Sequence, residues 1–216
     1  IQIIYNIHRS LDMMHKIIIF VFLAFSHLNA QTFSIARVQY GGGGDWYSDP
    51  SSLPNLLKFL SQNTPLSVNF EEKRIKLTDD NASHFPYLYL TGHGNIKFSE
   101  NEIISLRSIL LNGGFMHADD NYGMDKSFRK EMKRVFPNKE LIPLPNDHMI
   151  FKSYYRFENG LPKVHEHDNK PATAFGLYEK DRMILLYTYE SDLGDGWEDG
   201  SVHGDPWEIR EASLKM

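Results

Sequence analysis

Two polar segments follow short apolar runs in the middle of the chain, and their residue types could do chemistry. Residues 86–90 lead into Thr-Gly-His-Gly at 91–94, and residues 115–118 lead into Asp119 and Asp120. A histidine can act as a general base or a metal ligand, and a pair of aspartates can bind a divalent ion or transfer protons. His93, Asp119 and Asp120 are therefore the first candidates for a catalytic or metal site.

The segment between these two runs explains how they could meet. Ser99 and Glu102 form a Ser-x-x-Glu capping box, apolar residues then recur at helical spacing, and two glycines at 113–114 end the pattern. Two strands joined by one helix are parallel, so their carboxyl ends open on the same edge of the sheet, where ligands bind in open α/β sheets. Because neighbouring strand residues point to opposite faces, one aspartate should cap the next turn and the other should face the cleft.

Three further segments could contribute to a site at this edge. His148 follows a proline-flanked apolar stretch that could place it there, so it joins His93 and Asp119 as a candidate ligand of a divalent metal ion, the candidate cofactor. The four glycines at 41–44 precede Asp45 and Trp46 and form either a binding loop or a flexible turn. They lack the pattern of a P-loop or a dinucleotide fold. The candidate ligand-binding residues are Gly43, Gly44, Asp45, Trp46, Gly92, His93, Gly94 and Trp197.

Other groups have simpler interpretations. Trp46 and Trp197 are either stacking platforms or plugs over the core. His117 alternates into the body of a strand and is expected to be structural. His165 and His167 have the spacing of a surface metal site but lie in a polar loop, where solvated side chains are expected. The acidic residues at 192–199 miss the EF-hand spacing and indicate a structural turn.

The remaining pattern predicts one α/β domain with a mainly parallel sheet. Further strands are expected at residues 33–40 and 66–70, and a pair of adjacent strands at 172–177 and 183–189. Helices are expected at about 52–62, 125–135 and 206–214, and a loop rich in glycine and aspartate at 191–205. No Gly-x-Ser-x-Gly elbow is present, so a serine nucleophile of that kind is not expected.

Composition and the first thirty residues bear on location. Residues 13–30 carry Lys16, an apolar run and a small-residue exit at Ala30, which predicts a secretory signal peptide preceding a domain at 31–216. The apolar run is about half the ~20 residues that a membrane-spanning helix needs. The net charge of -5 argues against a nucleic-acid partner. The chain has no cysteine, which excludes disulfides and cysteine nucleophiles.

Taken together, these motifs resemble the bacterial family called domain of unknown function 4159. The matching features are residues 33–40, 43–46, 89–94, 106–107 and 113–115, Ala118, Asp119, Asp120, Phe128, Pro145, His148, Gly176, Arg182 and residues 196–198. The resemblance implies a three-layer fold similar to the class I glutamine amidotransferase-like, flavodoxin-like superfamily. It also implies a short closing segment beyond Met216, since family members continue past the last helix.

Two functional hypotheses follow. The first is an exported, non-catalytic ligand-binding or assembly module, whose cleft at the strand ends receives a small molecule or a protein partner in the cell envelope. The second is a metal-assisted hydrolase that uses His93, His148 and Asp119 or Asp120 around a water molecule. Amidotransferase relatives place a catalytic cysteine where this chain has Asp119 and Asp120, so that route to glutamine hydrolysis is excluded.

Overall fold

The computed structural model of the protein describes residues 32–216, so the predicted signal peptide at 13–30 lies outside the described residues. Residues 33–216 form one unit built on a seven-stranded sheet. Among the helices of this unit, none combines the length and apolar character needed to cross a membrane.

The sheet is mixed but mainly parallel. Its strands are β1 Ile35–Gln39, β2 Lys73–Lys76, β3 Tyr87–His93, β4 Phe115–Tyr122, β5 Ile142–Pro143, β6 Thr173–Glu179 and β7 Arg182–Tyr189, in the spatial order β2-β1-β3-β4-β7-β6-β5. Strands β2, β1, β3, β4 and β7 are parallel, whereas β6 is antiparallel to both of its neighbours. Counted along the chain, the five parallel strands follow the order 2-1-3-4-5, which is the flavodoxin-like order.

Helices cover both faces of the sheet and complete three layers. They are α1 Ser52–Asn63, α2 Glu100–Leu111, α3 Asp125–Val135, α4 Leu193–Trp197, α5 Gly200–His203 and α6 Trp207–Lys215. On one face, Leu88 and Leu90 belong to a buried cluster with residues of α2 and α3. On the other face, Tyr89 and Leu186 belong to a second cluster with residues of α1, α4 and α6. The alternation of Leu88, Tyr89 and Leu90 between clusters is the pleat of a strand buried on both faces.

The central crossover has the predicted form. Strands β3 and β4 are parallel neighbours, and α2 connects them. Ser99 is the N-cap of α2, its hydroxyl accepts from the backbone N–H of Glu102, and the Glu102 carboxylate accepts from the Ser99 N–H at 2.7 Å. The predicted capping box is therefore confirmed. The strand pair in the last third of the chain is also confirmed, as the antiparallel ladder between β6 and β7.

Four features differ from the sequence prediction. Residues 66–70 form a single bridge, between Val68 and Phe33, and not the predicted strand. Leu66 and Phe70, on which the prediction relied, are exposed. The strand at this edge is β2, whose only buried residue is Ile75, so its sequence lacks an apolar pattern. Residues 191–205 contain the short helices α4 and α5 instead of a loop. Finally, β3 and β4 extend through the polar residues that were expected to follow them.

Arg37 ties the loop after β1 to the sheet. Its side chain is fully buried, and its Nε atom donates to the Glu72 carboxylate at 2.7 Å. Its two terminal nitrogens donate to the backbone oxygens of Ser48, at 2.7 Å, and Asp49, at 3.1 Å. A buried guanidinium is tolerated only when such acceptors satisfy its charge and its hydrogens. Arg37 therefore fixes the loop that leads from β1 into α1.

We expect Arg37→Met to lower the free energy of unfolding by about 3 kcal/mol, because it leaves Glu72 without its buried partner and frees the loop carbonyls. Arg74 provides a matched control, since it pairs with the same carboxylate at 2.6 Å but is half exposed. Arg74→Met should cost less than about 1 kcal/mol. Urea unfolding of both variants measures the difference, and equal losses would contradict this account of Arg37.

Candidate functional site

The carboxyl ends of β3 and β4 present the predicted aspartates on opposite faces of the sheet. Asp119 pairs with Thr91 in the ladder, and Asp120 pairs with Gly92. Asp120 accepts from the Met124 backbone N–H at 3.0 Å and from the Tyr187 hydroxyl at 3.1 Å, which holds the turn into α3. Asp119 points to the other face, where it accepts from the Gly194 N–H at 2.7 Å and from the Thr188 hydroxyl. The two aspartates point to opposite faces and Asp120 caps the turn, as expected, but Asp119 is fully buried and does not face an open cleft.

Asp119 belongs to a group of buried acids that we call the carboxylate cluster, formed by Asp49, Asp119, Asp192 and Asp195. The amide of Asn121 joins two of them, since its nitrogen donates to Asp49 at 2.5 Å and to Asp195 at 3.2 Å. The first turn of α4 lies against the same acids. A Cβ atom on Gly194 would lie 3.0 Å from the Asp49 carboxylate and 3.3 Å from that of Asp119. A glycine is therefore needed there.

Burial changes the protonation of this cluster. Removal from water raises the pKa of Asp119 to about 7, with smaller increases from the charges of Asp49 and Asp120. Burial and neighbouring acids likewise raise the pKa of Asp192 to about 9 and that of Asp195 to about 8. Strongly shifted pKa values are often found at functional sites, because catalytic and binding groups need a pKa matched to their task.

His117 is buried beneath the cluster, within the body of β4 as the alternation predicted. Burial lowers its pKa to about 3, so the ring is neutral. Its Nε2 atom lies 3.0 Å from the Thr188 hydroxyl, which in turn donates to Asp119. A neutral imidazole that donates through Nε2 completes this chain of hydrogen bonds.

Two histidines approach the cluster from the loop before β6. His165 has its Nδ1 atom 2.9 Å from Asp195 and its Nε2 atom 3.2 Å from Asp205. His167 contacts Asp192 through Nε2 at 2.5 Å. Each side chain is only 25% exposed, in contrast to the solvated side chains expected from the polar sequence. The Asp-His contacts bury both rings, and a single sequence cannot reveal contacts between such distant segments.

The glycine loop and the loop after β3 lie against each other. Asp45 accepts from the His93 backbone N–H, and its second oxygen lies 3.1 Å from His93 Nδ1. The Gly44 N–H donates to the carbonyl of Asn95 at 2.9 Å. A Cβ atom on Gly44 would lie 2.8 Å from the His93 carbonyl oxygen, so the loops approach this closely only without a side chain. The structure thus brings Asp45 and His93 together, with the His93 side chain half exposed.

The other glycines of the predicted binding set serve backbone geometry. Gly43, Gly92 and Gly94 all have positive φ angles. A Cβ atom on Gly92 would lie 2.4 Å from the Tyr40 hydroxyl, whereas Gly43 has open space around it. The Gly94 N–H donates to the carbonyl of Tyr122 at 3.2 Å, which joins this loop to the end of β4.

His148 and Trp46 make their contacts away from the carboxylate cluster, whereas Trp197 packs beside it. His148 accepts from the Ile150 N–H at 3.2 Å and lies 3.1 Å from the hydroxyl of Tyr178 on β6, so within residues 32–216 it shares no hydrogen-bond partner with His93 or Asp119. Trp197 is 2% exposed, donates to the Ser213 carbonyl and packs on Tyr89. Trp46 is partly buried against the core and meets Tyr47 edge to face. Both tryptophans therefore occupy packing positions.

An open cleft of about 280 Å³ lies over the ends of β4 and β7, and we call it the edge cleft. Its walls carry four acidic side chains, one lysine and two stacked rings, and the residues that matter below are Asp120, Asp125, Asp168, Glu190, Lys126, Tyr122 and His167. The rings of Tyr122 and His167 stack with centroids 4.6 Å apart. A larger, apolar cavity of about 480 Å³ lies between α1 and α6 and includes one predicted site residue, Trp197.

Two buried acids of this region, Asp49 and Glu190, were not identified from the sequence, and Asp192 was assigned there to a structural turn. Asp49, Glu190 and Asp192 are buried and have positive φ angles of 54°, 57° and 57°. Such backbone strain at non-glycine residues clusters at functional sites. Acidic residues next to small residues were the only signal in the sequence, and that pattern is common in ordinary turns.

The layers, the strand order and the polar carboxyl edge define a three-layer α/β domain with a candidate binding site at that edge. The model of the family described as Domain of unknown function (DUF4159) matches residues 34–216. The chain belongs to this family. No curated protein matches the chain.

The raised pKa of Asp119 predicts a pH dependence of stability. The folded state holds the proton up to about pH 7, whereas the unfolded chain releases it near the ordinary aspartate pKa of 3.8. Between these values the folded state binds more protons, so the free energy of unfolding falls as pH rises, by at most about 1.4 kcal/mol per pH unit for one proton. An asparagine can accept from Gly194 and donate to Thr188, so Asp119→Asn should fold and flatten this slope.

Urea unfolding at several pH values from 4 to 8 measures the slope. Asp181 lies in the exposed turn between β6 and β7, so Asp181→Asn is the control and should leave the slope unchanged. An Asp119→Asn slope equal to that of the unmodified protein would show that Asp119 releases its proton at the same pH in both states.

Proposed function

We propose that the protein is an exported ligand-binding domain that holds a small polar ligand, rich in hydrogen-bond donors, in the edge cleft. The observation that carries the proposal is the position of this cleft over the carboxyl ends of β4 and β7, where open α/β sheets bind ligands. Its acidic walls offer acceptors, and the stacked rings of Tyr122 and His167 offer an aromatic surface. Hydroxyl and amino groups are the donors that suit such walls.

The surroundings of the cleft favour binding over catalysis. Asp125 pairs with Arg129 at 2.7 Å, Asp168 lies 3.1 Å from Lys170, and Asp120 holds the turn into α3. Carboxylates that are positioned in this way keep one orientation, which lowers the entropy lost when a ligand binds. If the domain acts as an assembly module, the edge cleft receives a side chain of a protein partner in the cell envelope instead of a small molecule.

The hydrolase hypothesis has less support from the geometry. It needs His93, His148 and an aspartate around one water molecule, and these three groups contact different partners in different parts of the described structure. The parallel strand order 2-1-3-4-5 supports our further proposal that the domain is related to the class I glutamine amidotransferase-like superfamily. Fold similarity supplies no activity by itself.

Glucosamine is a suitable first probe, since it offers hydroxyl donors and a positive charge, and glucose is its neutral counterpart. We expect glucosamine to shift the NMR signals of residues around the edge cleft, and to bind more tightly than glucose because the four carboxylates of the walls outnumber the single lysine there, Lys126. Tyr122→Ala should weaken glucosamine binding by about tenfold through loss of the aromatic surface. Tyr154→Ala removes an exposed tyrosine elsewhere and should have no effect. Shifts outside the cleft, or none with either sugar, would count against the proposal.

Export can be tested by the mature N-terminus. If residues 13–30 act as a signal peptide, the protein recovered from outside the cytoplasm should begin at Gln31. Phe22→Asp places a charge in the apolar run and should leave the protein uncleaved inside the cell. Protein sequencing of both fractions gives the result, and an uncleaved N-terminus on exported protein would contradict the proposed cleavage.

A further inference from the structure

A second group of side chains lies beside the carboxylate cluster and has the composition of a metal site. His165, Asp195 and His203 each offer one ligand atom, and these three atoms all lie within 4.8 Å of one another. The Asp195 carboxylate lies between the two rings, 2.9 Å from His165 Nδ1 and 3.8 Å from His203 Nε2. The two imidazole rings are tilted at 59° to each other, with centroids 5.1 Å apart. The three residues come from the loop before β6, from α4 and from α5.

Hydrogen bonding alone does not account for this arrangement. His203 Nε2 is 3.8 Å from Asp195 and 3.7 Å from Glu198, and both distances are too long for a hydrogen bond. Two ligands of a tetrahedral zinc ion, with bonds of about 2.0–2.1 Å, lie about 3.3 Å apart. The distance from His165 Nδ1 to Asp195 Oδ2 is 2.9 Å and that from His203 Nε2 to Asp195 Oδ1 is 3.8 Å, on either side of this value. A metal ion would therefore need only small movements of these exposed or partly exposed rings.

A buried acid beside the three residues points to the same conclusion. Asp192 has no exposed side-chain surface, and its Oδ2 atom lies 3.6 Å from His165 Nδ1. Its Oδ1 atom is buried and has no hydrogen-bond partner among residues 32–216. An unpaired buried carboxylate oxygen is rare in proteins, and a missing ion is one of its recognised explanations.

We propose that His165, Asp195 and His203 bind a divalent transition metal ion of the zinc class, with Asp192 as the carboxylate next to the open coordination position. Two imidazoles and a carboxylate suit zinc better than magnesium or calcium, which prefer oxygen ligands. When His165 binds through Nδ1, its Nε2–H donates to Asp205 at 3.2 Å, which is the hydrogen bond that orients metal-binding histidines in known sites. Among these three ligands the sequence indicates a metal-site spacing only for His165, together with His167, and the inference does not depend on binding in the edge cleft.

Titration calorimetry of the chelator-treated full protein with Zn²⁺ tests the site. We expect about one Zn²⁺ per chain, and a loss of more than tenfold in affinity in His203→Ala and in Asp195→Asn. Asp205→Asn should cost roughly tenfold, since it keeps the ligands and weakens the orienting hydrogen bond. His84 is exposed and distant in sequence, so His84→Ala is the control with unchanged affinity. The protein should show the spectrum of tetrahedral Co²⁺ when Co²⁺ replaces Zn²⁺.

Two results would overturn the proposal. One is the absence of Zn²⁺ binding by the folded, unmodified protein. The other is Zn²⁺ binding that survives unchanged in both His203→Ala and Asp195→Asn, which would place the ion elsewhere. Circular dichroism without metal checks the fold of each variant, and His203→Ala is the decisive variant because its side chain is partly exposed and makes no hydrogen bond within the described residues. Glucosamine binding is measured separately in metal-free protein, so the two proposals fail independently.

Discussion

The burial of several carboxylates at one edge of the sheet constrains everything around that edge. An ionised carboxylate that leaves water loses several kcal/mol of solvation, and only hydrogen bonds, partner charges or protonation offset this loss. Here Asp119 receives the Gly194 N–H and the Thr188 hydroxyl, while one amide, Asn121, serves both Asp49 and Asp195. The helix α4 must therefore begin with its backbone against the acids, which explains a glycine at a position where helix propensity disfavours it.

Arg37 meets the same constraint with the opposite charge. Arg37 is buried beside the loop that carries Asp49. It donates to Glu72 and to backbone oxygens of that loop, and not to the carboxylates of the cluster. Arg37 thus fixes the backbone of Asp49, whereas the Asp49 carboxylate accepts from the side chain of Asn121. This separation explains how the acids of the cluster can remain available for a ligand or an ion while the loop stays in place.

The sequence predicted those parts of the structure that depend on local patterns. The capping box at Ser99, the crossover from β3 to β4 and the opposed directions of Asp119 and Asp120 follow from periodicity and pleat alone. Strand β2 could not be predicted, because an edge strand with charged residues has no apolar alternation. Helix α4 contains two glycines in five residues, so tertiary packing rather than propensity makes it helical. The cluster joins residues from 49 to 195, and no local pattern records such contacts.

The edge cleft and the proposed metal site are linked through one carboxylate. His167 lines the cleft and contacts Asp192 Oδ2, and the same oxygen lies 3.6 Å from His165 Nδ1. If a metal ion occupies His165 Nδ1, that nitrogen carries no proton, and Asp192 then interacts with the ion and with His167 alone. The orientation of His167, and with it the stack on Tyr122, then depends on the ion. Linkage between binding sites is reciprocal, so a ligand that orders His167 in the cleft would change metal affinity by the same factor.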